Sequence, residues 1–135
     1  MSMSSAAIPT FEITLGALSQ LLDKADAYCT GKKVDPGVLL GYRLAPDMFA
    51  LTKQVQIACD MAKFGAARLS GVEPPKFEDN EKTIPELKER IAKTLAFIRS
   101  ADKNAIDASA DRTITLPLGP SKKGEMKGAD YLNHF

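Results

Sequence analysis

The chain has 135 residues, with 18 Lys plus Arg against 17 Asp plus Glu. That length suits one domain with its own core, and the near-neutral balance excludes the clustered positive field of a nucleic-acid surface. Two cysteines, Cys29 and Cys59, with no CxxC pair and no Cys/His cluster, exclude a disulfide scaffold or a thiolate zinc site as the organising theme.

The opening MSMSSAAIPT lacks a basic n-region and a sustained apolar stretch. No apolar run nears the about 20 residues that cross a bilayer, so the expected setting is soluble, reducing and cytoplasmic. Residues 1–8 read as a frayed start. Thr10 then caps a helix over about 10–29, with Phe11, Leu15, Leu18, Leu22, Ala25 and Cys29 forming a seam of alternating steps of four and three. Cys29 on that seam reads as a small buried hydrophobe. Thr30-Gly31 ends the helix. In the connector Lys32–Arg43, Asp35-Pro36 is a start signal for a turn or two over Val38–Tyr42. Leu39, Leu40 and Leu44 are expected to cover the mouth of a bundle.

The strongest periodicity lies in Leu44–Leu69. Leu44, Met48, Leu51, Val55, Ala58, Ala62, Gly65 and Leu69 predict a central helix over about 46–70, with Pro46 in its first turn and Gly71 as its stop. At 100° per residue Gln54, Asp47 and Arg68 fall within the apolar arc, while Gln56, Lys53, Asp60 and Lys63 fall opposite. Ser70–Lys82 is a loop by composition, with Pro74-Pro75, a single anchor in Phe77, and an acidic run Glu78-Asp79-Asn80-Glu81. The acidic run lacks the alternating ligands and glycine of a calcium loop, so solvated charge is expected.

Thr83-Ile84-Pro85-Glu86 is a capping box, opening a helix over 84–101. Its seam is Ile84, Leu87, Ile91, Thr94, Ile98 and Ala101, widened by Leu95 and Phe97. Glu86–Arg90 and Glu89–Lys93 read as exposed pairs worth a few tenths of a kcal/mol. After a polar link the period changes to two. Ile114, Leu116 and Leu118 alternate with polar residues and Pro117, giving a hairpin over about 112–127 that turns at Gly119–Gly124 and must lie against the helices. Gly128–Phe135 reads as the opening of another helix, with Asp130 near its start. Three seams and a hairpin leave one long groove without a wall. The expectation is therefore a fourth helix that is truncated here or supplied by another chain.

The string YRLAPDMFALTKQVQIACDMAKFGAARLSGVEPPKFEDNEKTIPELKERIAKTL resembles the DUF1993 family, and so do ITLPLG and KGADYLNHF. The resemblance spans essentially the whole chain. It implies a DinB/YfiT-like fold: an all-α, up-down four-helix bundle, single-domain over 1–135, in a superfamily described as metalloenzymes. It also implies a further helix beyond this chain's end, bearing aromatic residues and histidine. The superfamily's metal pattern resembles three histidines, one on the second long helix and two at i, i+4 on the last. In this sequence Gln54 stands where the first would project, and glutamine is a poor ligand beside imidazole. The only histidine is His134.

Two functional readings follow. In the first the protein binds a small ligand or a partner and forms a homodimer, with no catalytic residues, no cofactor, no nucleic acid and no membrane. Gln54, Asp47 and His134 are then the candidate contacts, and Gln54 otherwise reads as a bonded core amide. In the second it is a divergent metal-dependent enzyme of the thiol transferase or hydrolase type, whose ligands lie mainly in the missing last helix. A divalent metal finds no supporting ligand set in this chain. A helix-turn-helix reading of the Gly31–Pro46 link fails because no helix has a basic face. Serine or cysteine nucleophile schemes lack a base within reach.

Overall fold

The computed structural model describes all residues, 1–135. Helix α1 runs Met3–Lys32, the short α2 Pro36–Leu40, α3 Leu51–Ser70, α4 Ile84–Ser100, and the short α5 Lys103–Asp107. Strands β1 (Thr113–Pro117) and β2 (Lys123–Lys127) form an antiparallel hairpin, followed by α6, Gly128–His134. The three long helices expected from the seams are present. No helix is long and apolar enough to cross a membrane.

α1 begins well before Thr10. Ser2 caps it by accepting the Ser5 N–H, and the Asp107 carboxylate accepts the Ser4 N–H at 2.7 Å. The expected frayed start is therefore helical, with Ala7 and Ile8 buried. A distant aspartate and local burial outweigh Pro9, which removes one backbone donor inside the helix. Thr10 is not a cap, because its hydroxyl donates back to Ala6 O at 2.7 Å. The seam itself stands, with Leu15, Leu22 and Cys29 buried and Phe11, Leu18 and Ala25 packed beside them. The helix runs through Thr30-Gly31 and ends at Lys33, whose left-handed φ of 54° lets its N–H reach Cys29 O and Thr30 O.

α3 starts five residues later than its periodicity suggests. Met48 N–H donates to Ala45 O and Leu51 N–H to Tyr42 O, so the segment around Pro46 is folded into turns. No side chain caps α3 at Ala50. Leu44, the first residue of the expected seam, is 82 % exposed, and Leu40 rather than Leu44 closes the bundle mouth. Val55, Ala62, Gly65 and Leu69 are buried as expected. The buried face is wider than the seam, though, and also takes in Gln56, Cys59, Lys63, Ala66 and Ala67.

α4 packs against both α1 and α3, whereas α1 and α3 touch each other less. Ion pairs Arg99–Glu12 and Lys88–Asp23 set α4 antiparallel to α1. The α4 seam Ile84, Leu87, Ile91, Thr94 and Ile98 is buried. Its capping box forms, with Thr83 Oγ1 accepting the Glu86 N–H and Glu86 accepting the Lys82 N–H. The hairpin pairs Thr113 with Lys127 through Pro117 with Lys123, placing Ile114 and Leu116 inward. Leu118 lies beyond the pairing and is exposed, a correction to its place in the alternation. α5 stands where a polar link is expected, its one large apolar residue, Ile106, buried; Asp102 caps it by accepting the Asn104 and Ala105 N–H groups.

Candidate functional site

Where α1 and α3 diverge they leave a groove of about 520 Å³. The α1 wall is Thr10, Phe11, Thr14 and Leu15; the α3 wall is Ala58, Met61, Ala62, Gly65 and Leu69; Tyr131, Leu132 and Phe135 of α6 close one end. None of its fourteen lining side chains is charged. This is the uncovered groove that the three seams left open. A small residue keeps it open: a Cβ at Gly65 would sit 3.0 Å from the tip of the Phe11 ring, which would have to shift by a few tenths of an ångström.

α6 reaches the groove because the chain turns tightly at Gly128. A Cβ there would meet Ser109 O at 2.0 Å, so no other residue fits. Arg112 ties the start of the hairpin to α3 by donating to Arg68 O and Leu69 O at 2.7 and 2.8 Å. These are end carbonyls that the helix itself leaves unpaired. Tyr131 then stacks on Phe135 at 5.7 Å, and its hydroxyl lies 3.1 Å from the Arg68 guanidinium.

The three candidate contacts do not come together. Gln54 is exposed, and its amide donates to Phe49 O at 3.2 Å. It is therefore not a core amide, because the apolar arc that holds it faces the open side between α1 and α3. Asp47 is exposed in the turn before α3 and lies outside any helical first turn. His134 is exposed on α6, its Nδ1 2.9 Å from Asp130 O. α6 contacts Arg68, fourteen residues along α3 from Gln54, or about 21 Å of helix.

The polar face of α3, expected in solvent, is instead roofed by residues 71–82. Arg90, read from sequence as half of an exposed pair with Glu86, is 2 % exposed. Its Nη1 contacts Asp79 Oδ1 at 2.8 Å, Glu81 Oε1 at 3.1 Å and Glu78 O at 3.1 Å, and its Nη2 contacts Asp60 Oδ1 at 3.0 Å. Gln56 donates to Glu81 Oε2 at 2.9 Å. Lys53 pairs with Asp79 at 2.8 Å and Lys63 with Asp60 at 3.1 Å. The Lys63 ammonium also lies 5.0 Å from the ring centre of the half-buried Phe77, which rests on the charged face of α3 and not on the apolar core where an anchor was expected. Burial opposes the Arg90 charge, yet Glu81 and Asp60 outweigh it and hold the guanidinium more firmly protonated than usual. The Lys53 hydrogen bond holds the Asp79 carboxyl below its ordinary range against partial burial, with Arg90 adding to the effect. Burial pushes the neighbouring Cys59 thiol up. Nothing in the periodicity marked this node. The signal that could have found it was the acidic run Glu78-Asp79-Asn80-Glu81 beside the cations Lys53 and Lys63 on the polar face of α3 and Arg90 on α4.

The residues present do not fit the superfamily's metal. Gln54 points to solvent, His134 lies at the other end of α3, and Asp60, Asp79 and Glu81 are committed to Arg90. No three His, Cys, Asp or Glu side chains are grouped to hold an ion.

Comparison with known proteins agrees with the architecture. The model of DUF1993, a domain of unknown function, matches residues 3–135. The crystal structure of a DinB family member protein from Shewanella denitrificans superposes with a TM-score of 0.87 at 38% identity, over 97% of this chain and 74% of that one. No curated protein matches the chain.

Proposed function

The chain belongs to the DUF1993 family, and from that premise we propose that it is a binding protein whose α1–α3 groove seats a second copy of itself as a homodimer. The observation carrying this reading is the uncharged, mostly apolar groove. Ile13, between the lining residues Phe11 and Thr14 of α1, adds exposed apolar surface beside it. A twofold dimer brings a patch against itself, so charges near the axis meet their own kind; a patch free of charge escapes that cost. In this reading the second copy supplies the fourth wall expected from the sequence. A small apolar ligand at the same groove is a narrower form of the same activity.

The experiment is sedimentation of the wild type beside Met61→Glu. Met61 lines the groove and is half exposed, so glutamate there places a charge in the proposed interface without disturbing the core. The wild type should sediment as a dimer. The variant should sediment as a monomer with an unchanged melting temperature. A wild type that stays monomeric at high micromolar concentration would overturn the proposal. The metal-dependent reading rests on ligands other than Asp47, Gln54 and His134, which this fold does not bring together.

A further inference from the structure

Residues 73–81 are attached to the bundle in an unusual way. Between the Val72 N–H, which donates to Ala67 O, and the cap of α4, none of their backbone groups bonds another backbone group. Side chains hold the segment instead. Its Asp79, Glu81 and Glu78 carbonyl converge on Arg90, Gln56 and Lys53 reach it from α3, and Phe77 rests by the Lys63 ammonium. At one end Gly71 has a left-handed φ of 75°, and at the other the Thr83 cap fixes the start of α4. Three cations (Lys53, Lys63, Arg90) face three carboxylates (Asp60, Asp79, Glu81), two of which belong to the segment itself. Cys59, 1 % exposed, lies on α3 between Gln56, which donates to Glu81, and Asp60, which pairs with Arg90. A segment with no backbone ladder and one charged clasp can open locally without unravelling the helices beside it.

We propose that residues 73–81 form a releasable strap clasped by Arg90, and that lifting it uncovers the α3–α4 seam at Cys59 while the bundle stays folded. The two buried cysteines make this measurable within one molecule. Cys29 is buried in the last turn of α1 and shares no hydrogen bond or ion pair with the strap, so its thiol reports opening that does not involve the clasp. Cys59 reports the strap plus the whole fold.

The test is the rate at which a small maleimide labels each cysteine in the full chain, resolved by peptide mass. In the wild type Cys59 should react at least tenfold faster than Cys29. Asp79→Asn combined with Glu81→Gln removes the strap's charges but keeps its shape, and leaves Arg90 its Asp60 partner. That variant should speed Cys59 at least a further tenfold, with the Cys29 rate and the helical circular dichroism unchanged. Equal rates at the two cysteines in the wild type, or a Cys59-to-Cys29 ratio the variant does not raise, would overturn the proposal. A variant that loses helicity is replaced by Lys53→Met, which removes one clasp contact at a half-exposed position and should shift the ratio in the same direction. A Lys53→Met ratio equal to that of the wild type would overturn it equally.

Discussion

Gln54 and Gln56 stand two residues apart on α3, about 200° around the helix, and meet opposite surroundings. Gln54 is exposed and bonds a loop carbonyl, whereas Gln56 is buried and donates to Glu81 at 2.9 Å. Truncating Gln56 to alanine leaves the nearly buried Glu81 Oε2 with only the longer Arg90 Nη1 contact at 3.3 Å, which should cost about 1–2 kcal/mol. Truncating Gln54 removes only a solvent-competed bond and should change stability by less than about 0.5 kcal/mol. Urea denaturation of the two variants checks the pair, and equal losses would show that α3 is rotated from the arrangement described. Arg90 makes the same point more strongly. Its spacing to Glu86 suited a surface pair, yet three carboxylates draw it beneath a loop. Removing any one of those carboxylates leaves its charge less well compensated.

Among the elements, α4 is the one whose limits follow most directly from local chemistry. The cap Thr83 accepts one donor that the helix start leaves free, the early Pro85 has no donor to satisfy, and Glu86 reaches back to the Lys82 N–H, all with no help from elsewhere in the fold. Thr83→Ala should therefore cost about 1 kcal/mol. Thermal melting measures this, and a loss of only a tenth or two would mean that packing alone sets the start of α4. α1 shows the contrary case. Its first turns depend on Asp107, more than a hundred residues away, and on the burial of Ala7 and Ile8, and their one local signal, the Ser2 cap, is opposed by Pro9. α3 is intermediate: its apolar steps gave the interior correctly, but the turns at Ala45–Met48 consumed the residues that the same steps had assigned to its first turn. The hairpin's position and alternation were legible through Leu116, beyond which the pairing ends and Leu118 turns outward.

At the scale of the whole molecule, the shifted groups define the pH range of stability. The Lys53 hydrogen bond holds Asp79 below its unfolded value, and the Ser4 N–H does the same for Asp107, so both contributions are complete above about pH 4 and fade as pH falls through the folded values. Burial raises the Cys59 thiol, so its contribution is present below about pH 8.5 and is lost as pH rises through its folded value. The melting temperature should thus form a plateau between those limits and fall on both sides. A midpoint at about pH 3 equal to that at pH 6 would contradict the acid limb. The sequence by itself determined three amphipathic helices, a late hairpin, their family and a groove left over, because alternating steps of three and four align apolar side chains whatever lies far along the chain. Only the tertiary structure decided which polar residues go inside. A seam tells how one face is greased, whereas the fate of Gln54, Gln56, Lys63 and Arg90 depended on where a loop without periodicity came to rest.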